Sequence, residues 1–413
     1  MKTFVVRCPR CSNQTELKHT TYLCSQCKIP QEVVPNLGGL NGLEFKNNLT
    51  ANSDMTIWRY LPLLPIKNNP KNKRPVERSP LIKIEVENRQ IFLKDETRLP
   101  SYSLKDRASS LVSAFAVENN INKIVCASTG NAAVSIALSA NDLALSVYII
   151  IPKSVSLVKL GLMKAFGAHP ILIDGTYDDA FELSIEISNS LGFLNRNTAY
   201  NPITREGKKT VAFEICEQLN WEAPDWIVIP VGDGNIISGV AKGFNEFYQL
   251  GIIKKIPRLI AVQSEGSNVI SRALTDFKLN RFNTQICRAN SQSAANSICV
   301  DLPRDALMAL AAIEESDGIC YEFSDKELQD SLATLIAKTG IFCELSSAGA
   351  YLGALRAIRE GYIKPQENIV CLITGSGFKE KLEVEYLIKL ATETPMHANE
   401  FSTIEQLIAG GLD

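Results

Sequence analysis

From Ser79-Pro80-Leu81 onward, short β-rich runs alternate with segments of helical period, and this alternation constrains the fold more than any other feature. The β-rich runs lie at Ile91 to Lys94, Lys123 to Ala127, Ser146 to Ile151, Pro170 to Ile173, Trp226 to Pro230, Leu259 to Gln263 and Asn368 to Ile373. Such a succession predicts an α/β architecture with mostly parallel sheets. No internal sequence repeat is evident, and two α/β lobes with a ligand between them fit the pattern. In open α/β sheets, ligands collect at the carboxyl ends of strands, where loops turn into helix N-termini. Three polar, glycine-bearing stretches occupy such places. Ser128-Thr129-Gly130-Asn131 follows Ile124 to Ala127 and precedes the helical Ala132 to Ala140. Gly232-Asp233-Gly234-Asn235 follows Trp226 to Val231 and precedes Ile236 to Tyr248, and Thr374-Gly375-Ser376-Gly377 ends Ile369 to Ile373.

A chain of 413 residues with 45% hydrophobic content can bury a large core, and its length suggests two or three structural units. Forty-three basic against 45 acidic residues leave a formal charge of -2, so no strong field favours nucleic acid or an anionic membrane, and neither partner is expected. No unbroken apolar stretch reaches about 18 residues, and the opening Met-Lys-Thr-Phe-Val-Val-Arg-Cys-Pro has too short an apolar run for a signal peptide. A soluble, cytoplasmic protein is expected. Seven of the 11 cysteines (Cys126, Cys216, Cys287, Cys299, Cys320, Cys343, Cys371) are scattered singly, which suits reduced thiols better than a disulfide framework.

The other four form two pairs, Cys8-x-x-Cys11 and Cys24-x-x-Cys27, separated by 12 residues. Two such pairs can close a tetrahedral thiolate site around zinc, as in zinc ribbons. A segment this short buries little apolar surface, so metal binding would supply most of its folding energy. Four sulfur ligands leave no open coordination position, which makes the expected role structural. The competing reading is a knuckle of reduced, metal-free cysteines. His19 lies between the pairs without a partner histidine and reads as a surface residue.

Lys105, in Ser103-Leu104-Lys105-Asp106-Arg107, follows a polar loop (Thr97 to Ser103) and opens an apolar-periodic helix marked by Ala108, Leu111, Val112, Phe115 and Ala116. A lysine there can point into a cleft, although an isolated Lys-Asp-Arg more often decorates a helix start. The glycine of Ser128 to Asn131 permits a tight turn that exposes amides at a helix N-terminus, suited to a carboxylate; a simple N-cap is the alternative. In Gly232 to Asn235, successive amides around glycines converge before a helix whose dipole favours an anion, the natural occupant being a phosphate. A strand-to-helix turn that merely needs glycine is the plainer alternative.

Taken in order, Ser103 to Arg107, Ser128 to Asn131, Gly232 to Asn235, Ser346-Ser347-Ala348-Gly349 and Thr374 to Gly377 resemble the fold type II pyridoxal phosphate enzymes, the tryptophan synthase β family. The resemblance is closest to the threonine synthase-like branch, shared also by Ala294 to Ile298, Pro303-Arg304-Asp305 and Glu206 to Glu214, and it spans roughly residues 79 to 380. The cysteine knuckle occurs in some members. The resemblance implies a two-lobed architecture of mostly parallel sheets around pyridoxal 5'-phosphate. Lys105 would form the Schiff base and act as acid and base at Cα. Asn131 would contact the cofactor's 3' oxygen, and Ser128 and Thr129 the substrate carboxylate. Gly232, Asp233, Gly234 and Asn235 would hold the cofactor phosphate; Asp233 replaces a commoner uncharged residue and would have to point away from it. Thr374 would face the pyridine nitrogen as a neutral partner, favouring β or γ chemistry over transamination or racemisation. Glu344 and Ser346 to Gly349 would close over the cofactor, and Asp106 with Arg107 would form a structural pair. Family members are commonly dimers, so a homodimer is expected.

The chain is expected to divide into a zinc-ribbon-like knuckle (1–30), a linker or wrapping arm (31–78) rich in Asn, Pro and Lys with Trp58 to Ile66 as its apolar part, a two-lobed catalytic domain (79–385) and a C-terminal extension (386–413). The run His397 to Asp413 resembles a terminal helix and carries no assigned function. Threonine synthases usually place an arginine, which helps bind the substrate phosphate, where this chain has Thr204; Arg205 stands one place later and is the expected anchor. The expected reaction converts O-phosphohomoserine and water to threonine and orthophosphate. The alternatives are β-elimination or β-replacement on a small amino acid, as in dehydratases or cysteate synthase, and a cofactor- or zinc-binding regulatory protein without turnover.

Overall fold

The computed structural model describes residues 4–390. Strands β1 (Phe4–Arg7), β2 (Gln14–Glu16) and β3 (Glu32–Pro35) form a small antiparallel sheet in the order β2-β1-β3, with the four paired cysteines in its two connections. Helix α1 (Gly42–Ala51) follows, capped by the Asn41 side chain, which accepts from the Glu44 amide at 3.1 Å. A hairpin of β4 (Leu81–Val86) and β5 (Arg89–Asp95) then leads into α2 (Lys105–Glu118).

The next stretch builds the smaller lobe: β6 (Lys123–Ala127), α3 (Asn131–Asp142), β7 (Ser146–Pro152), α4 (Leu157–Ala165), β8 (His169–Ile173), α5 (Tyr177–Leu191) and β9 (Leu194–Asn195). Its four strands are all parallel, in the order β8-β7-β6-β9. Alternate residues serve opposite faces, as the strand period of two requires. Ile124, Cys126, Val147 and Ile149 pack with Leu111, Val112 and Val134 of α2 and α3, whereas Val125, Ala127 and Ile150 meet Phe181 of α5.

Helices α6 (Ile203–Lys208) and α7 (Thr210–Gln218) return the chain to the larger lobe. There follow β10 (Trp226–Pro230), α8 (Asn235–Gln249), β11 (Arg258–Ser264), α9 (Val269–Asn280), α10 (Ala306–Glu315), β12 (Ile319–Phe323), α11 (Asp325–Thr339), α12 (Leu345–Arg359), β13 (Ile369–Ile373) and α13 (Lys381–Leu390). The six-stranded sheet runs β12-β11-β10-β13-β5-β4 and is parallel except at the β5-β4 hairpin. Every residue of β10 is buried, because helices cover both faces of the sheet. Ile227 and Ile229 pack with Phe213, Phe244 and Leu310 on one side; Trp226 and Val228 pack with Leu332, Tyr351 and Leu355 on the other.

The expected α/β alternation is present, and each β-rich run coincides with a strand to within a residue or two at its ends. Six strands were not anticipated: β1 to β3 of the small N-terminal sheet, and three from Ser79 onward. β4 and β12 are sheet edges with charged or half-exposed positions, and β9 has two residues, too few for a period to show. The arm does more than connect. Phe45, Leu49, Tyr60 and Leu63 enter the core of the larger lobe, while Ile57, Trp58, Leu64, Ile66 and Val76 enter that of the smaller. All 11 cysteines are free thiols, and His19 is exposed. Among the described residues no helix is long and apolar enough to cross a membrane. The run His397 to Asp413 lies outside the described residues.

Candidate active site

A cavity of about 460 Å³ lies between the two lobes. The smaller lobe contributes Ala127 to Ala132, Thr176 to Asp178 and Thr198; the larger contributes Pro230 to Ile237, Glu344 and Thr374. Lys105 and Lys208 also face it. The carboxyl ends of β6, β10 and β13 thus point their loops at one space, as an open parallel sheet directs.

Lys105 is the first residue of α2, half-buried and open to the cavity. The amide of Leu104 donates to the Thr374 carbonyl at 2.9 Å, and Ser103 bridges to Gly375, so the turn carrying Lys105 is stitched to the end of β13. Its ammonium has no hydrogen bond or ion pair among the described residues. Desolvation, reinforced by the nearby Arg196 guanidinium, lowers its pKa from 10.5 to about 8. A lysine amine so placed is a ready nucleophile and proton carrier near neutral pH.

Asp106 and Arg107 do not pair with each other, contrary to expectation. Successive helical residues point about 100° apart, so neighbours in sequence do not face one another. Asp106 accepts from the amide and hydroxyl of Ser101, whereas Arg107 reaches Glu96 and Glu214. Each holds a different side of the turn that carries Lys105.

The Gly232 to Asn235 loop leads from β10 into α8. Gly234 has φ +91°, and a Cβ there would lie 2.8 Å from the Ala309 Cβ; a Cβ on Gly232 would lie 2.8 Å from the Ile298 Cα. Only glycine satisfies both positions. The amides of Gly232, Asp233, Gly234 and Asn235 donate to no carbonyl among the described residues and open at the N-terminus of a 15-residue helix, a cradle suited to a phosphate. The Asp233 carboxylate is turned to the Arg304 amide at 3.2 Å, which orients it toward the 303–305 segment. Burial raises its pKa.

On the opposite wall the Gly130 amide donates to the Ser128 hydroxyl at 3.2 Å, forming the turn that opens α3. Asn131 is fixed at both ends of its amide, accepting from Lys379 Nζ at 2.7 Å and donating to Glu344. Thr374 Oγ1 lies 3.0 Å from Ser347 Oγ, which ties the Ser346 to Gly349 helix turn to the cavity floor. Lys105, Ser128, Thr129, Asn131, Gly232, Asp233, Gly234, Asn235 and Thr374 therefore line one cavity. These residues fit pyridoxal phosphate in chemistry: a free amine, an amide cradle and a neutral hydroxyl at the end of a strand.

Arg205 is not among them. Its guanidinium is fully buried and spent on Asp305, the Ser238 hydroxyl at 3.1 Å and the Gln31 carbonyl at 3.2 Å. The expectation that it anchors a substrate phosphate has no geometric support, because a buried arginine paired with a carboxylate has no donor turned to the cavity. The residue that does face the cavity from this helix is Lys208, whose Nζ donates to Asn235 Oδ1. Its signal in the sequence was available: Thr204 and Lys208 stand four apart, on one face of a helix. Thr198, Lys159, Tyr177 and Asp178 also line the cavity without any motif to mark them.

The sulfur atoms of Cys8, Cys11, Cys24 and Cys27 all lie within 4.8 Å of one another, and Cys11 and Cys24 are 3.7 Å apart. Tetrahedral zinc with Zn–S bonds of about 2.3 Å requires S···S separations of roughly 3.8 Å. The donor set thus fits zinc. The knuckle is joined to the catalytic unit by the Asn195 amide, which donates to the Tyr22 hydroxyl at 2.9 Å, and by Arg10, which donates to the Phe282 carbonyl at 2.7 Å.

Sequence comparison agrees with this geometry. Residues 70–375 match the family described as "Pyridoxal-phosphate dependent enzyme". The threonine synthase of Methanocaldococcus jannaschii is 31% identical over 381 residues, covering 91% of this chain and 92% of that protein. The threonine synthase of Methanosarcina acetivorans is 28% identical over 380 residues, with the same coverage of 91% and 92%. Among solved structures, a fungal L-serine ammonia-lyase from Rhizomucor miehei superposes with a TM-score of 0.64 at 22% identity, covering 76% of this chain and 98% of that one. Threonine deaminase isoform 2 from Solanum lycopersicum gives 0.64 at 20% identity, with coverage of 85% and 94%. Those two structures share the fold of this chain over the part they cover. With a free lysine, an amide cradle and a neutral strand-end hydroxyl around the cavity, and with the family match over most of its length, the chain belongs to the pyridoxal-phosphate dependent enzymes of fold type II, as a lyase.

Proposed function

We propose that this protein converts O-phosphohomoserine and water to threonine and orthophosphate. The observation that carries the reading is the 31% identity to a threonine synthase over nearly the whole length of both chains, joined to a cavity that contains Lys105 and two anion-ready loops. Held in this cleft and joined to the substrate's amine in place of Lys105, pyridoxal phosphate would supply an electron sink that makes the substrate's Cα and Cβ protons acidic and would leave the Lys105 amine free. The protein's own residues do the rest. The Gly232 to Asn235 amides hold the cofactor phosphate at the head of α8, and Asn131 contacts the ring's 3' oxygen. Thr374 offers a hydroxyl to the ring nitrogen, a partner too weakly acidic or basic to keep that nitrogen charged. Ser128 and Thr129 receive the substrate carboxylate at the head of α3. Lys105 takes the protons from Cα and Cβ and returns them as orthophosphate leaves Cγ and water adds at Cβ. The four cysteines of the knuckle hold zinc in a structural role.

A second reading, β-elimination or replacement on a smaller amino acid, draws support from neutral Thr204 and from the burial of Arg205 against Asp305. Incubating the purified holoenzyme with O-phospho-L-homoserine separates the two. Equal amounts of orthophosphate and threonine are expected. Turnover of L-serine or L-threonine to a 2-oxo acid and ammonia, with O-phosphohomoserine untouched, would replace the first reading by the second.

A further inference from the structure

Deeply buried cations in this chain are as a rule paired with carboxylates: Lys94 and Arg107 with Glu214, Lys209 with Glu206 and Glu246, Arg205 with Asp305. Such pairing is what desolvation demands. Lys208 and Arg196 break the rule beside the cavity, for both are fully buried and neither has an ion-pair partner among the described residues. Lys208 Nζ has one acceptor, Asn235 Oδ1, and an ammonium carries three donors. Its acidic neighbours are engaged elsewhere: Asp305 takes Arg205, Asn235 and Ser238, and Asp233 takes the Arg304 amide. Lys379, another buried cation without an ion pair, donates to the Ser101 carbonyl and Asn131 on the far side of the site.

The groups around Lys208 are set for an anion. Asn235 Nδ2 donates to Asp305 at 2.9 Å, which turns Oδ1 toward Lys208 and, at 3.3 Å, Thr204 Oγ1. The ammonium is thereby held at the cavity wall from the same helix face as Thr204, one turn on. Arg196 Nη1 donates to Thr198 Oγ1 at 2.7 Å, with Nε and Nη2 directed to Ser109. Thr198 lines the cavity, and because its oxygen accepts from Arg196 its O–H is left to donate.

We propose that Lys208, assisted by the Thr198 hydroxyl that Arg196 orients, is the group that receives the substrate's phosphate and retains the orthophosphate product until release. The proposal rests on the threonine synthase reading for the identity of the substrate, but its chemistry, a dianion on a buried cation, is testable without it. Lys208 is thus a specificity-determining residue: it separates phosphorylated from plain amino acids and stabilises the charge that develops as the C–O bond at Cγ breaks. Burial among the like charges of Lys105 and Arg196 holds its ammonium well below the ordinary lysine range, and a bound dianion would relieve that strain.

The test uses holoenzyme with measured cofactor content, inorganic phosphate as probe, and the variants Lys208→Gln and Lys208→Arg. Calorimetry should show orthophosphate binding to wild type, weakened at least tenfold in Lys208→Gln and largely kept in Lys208→Arg. Cofactor content and visible absorption should be those of wild type in both. KM for O-phosphohomoserine should rise at least tenfold in Lys208→Gln, while the spectral response to unphosphorylated L-threonine stays put. Loss of cofactor with unchanged orthophosphate affinity would overturn the proposal and give Lys208 to the cofactor phosphate. Absence of orthophosphate binding by wild type would overturn it as well. Binding that depends on Lys208 in a protein that makes no threonine would leave this subsite standing and remove the threonine synthase reading.

Discussion

Arg107 grips Glu214 with two parallel hydrogen bonds, Nη1 to Oε1 at 2.6 Å and Nη2 to Oε2 at 2.7 Å. The pair ties the first turn of α2 to α7, and Glu96 completes it by accepting from Arg107 Nε at 2.6 Å. Lys94 adds a second cation on Glu214 at 2.7 Å. Lys105 lies two residues before Arg107, so this buried network sets where the lysine amine stands before any ligand arrives. Positioning of that kind is what an active-site lysine needs, because a misplaced amine forfeits the advantage of proximity.

Removing one member of this network should be costly. Arg107→Met leaves Glu96 and Glu214 under-compensated in a fully buried setting, and the expected loss is about 3–5 kcal/mol of unfolding free energy in denaturant melts. Arg98→Ala is the control, since Arg98 meets Asp95 from a largely exposed position and should cost under about 1 kcal/mol. Equal losses from both would mean that the Arg107 cluster contributes nothing special.

Lys105→Ala should fold, because a lysine with no protein partner leaves none unsatisfied when it is truncated. It should lack the visible absorption of the lysine-bound cofactor and retain less than about a thousandth of wild-type turnover, given the loss of both nucleophile and base. An unchanged spectrum would take this lysine out of the chemistry.

Capture of pyridoxal phosphate by the cofactor-free protein requires the neutral amine. With the Lys105 pKa lowered from 10.5 to about 8, the amine is protonated below about pH 8 and free above it. The capture rate followed by stopped-flow absorbance should therefore climb roughly tenfold per pH unit below that point and level off above it. A rate still climbing toward pH 10.5 would show that the site does not perturb the lysine.

The parts of this fold that were legible in the sequence are those with local signatures. Buried strands such as Trp226–Pro230 show as unbroken apolar runs, and the glycine loops show because Gly234 needs a positive φ. Edge strands Leu81–Val86 and Ile319–Phe323 were not legible, since charges and half-exposed residues blur their period. The site divides in the same way. Lys105 and the loops announce themselves by motif, whereas the fates of Arg205 and Lys208 depend on Asp305 and Asn235, residues that only the fold brings near them. Arg205 and Lys208 stand three apart on α6; the spacing from Thr204 points to Lys208, but that Asp305 takes up Arg205 shows only in the fold.

The knuckle should contain about one zinc per chain by elemental analysis, and Cys8→Ser with Cys24→Ser should abolish it. Because Tyr22 and Arg10 join this unit to Asn195 and Phe282, the double variant should also melt earlier than wild type. Zinc near zero in wild type purified without chelator would end the proposal.

The central claim is tested most directly by turnover of O-phospho-L-homoserine in water labelled with oxygen-18. Addition of water at Cβ after loss of phosphate from Cγ puts the label in the threonine hydroxyl and leaves the released orthophosphate unlabelled. Label in the orthophosphate, with homoserine as the organic product, would mean simple phosphate-ester hydrolysis and contradict the account.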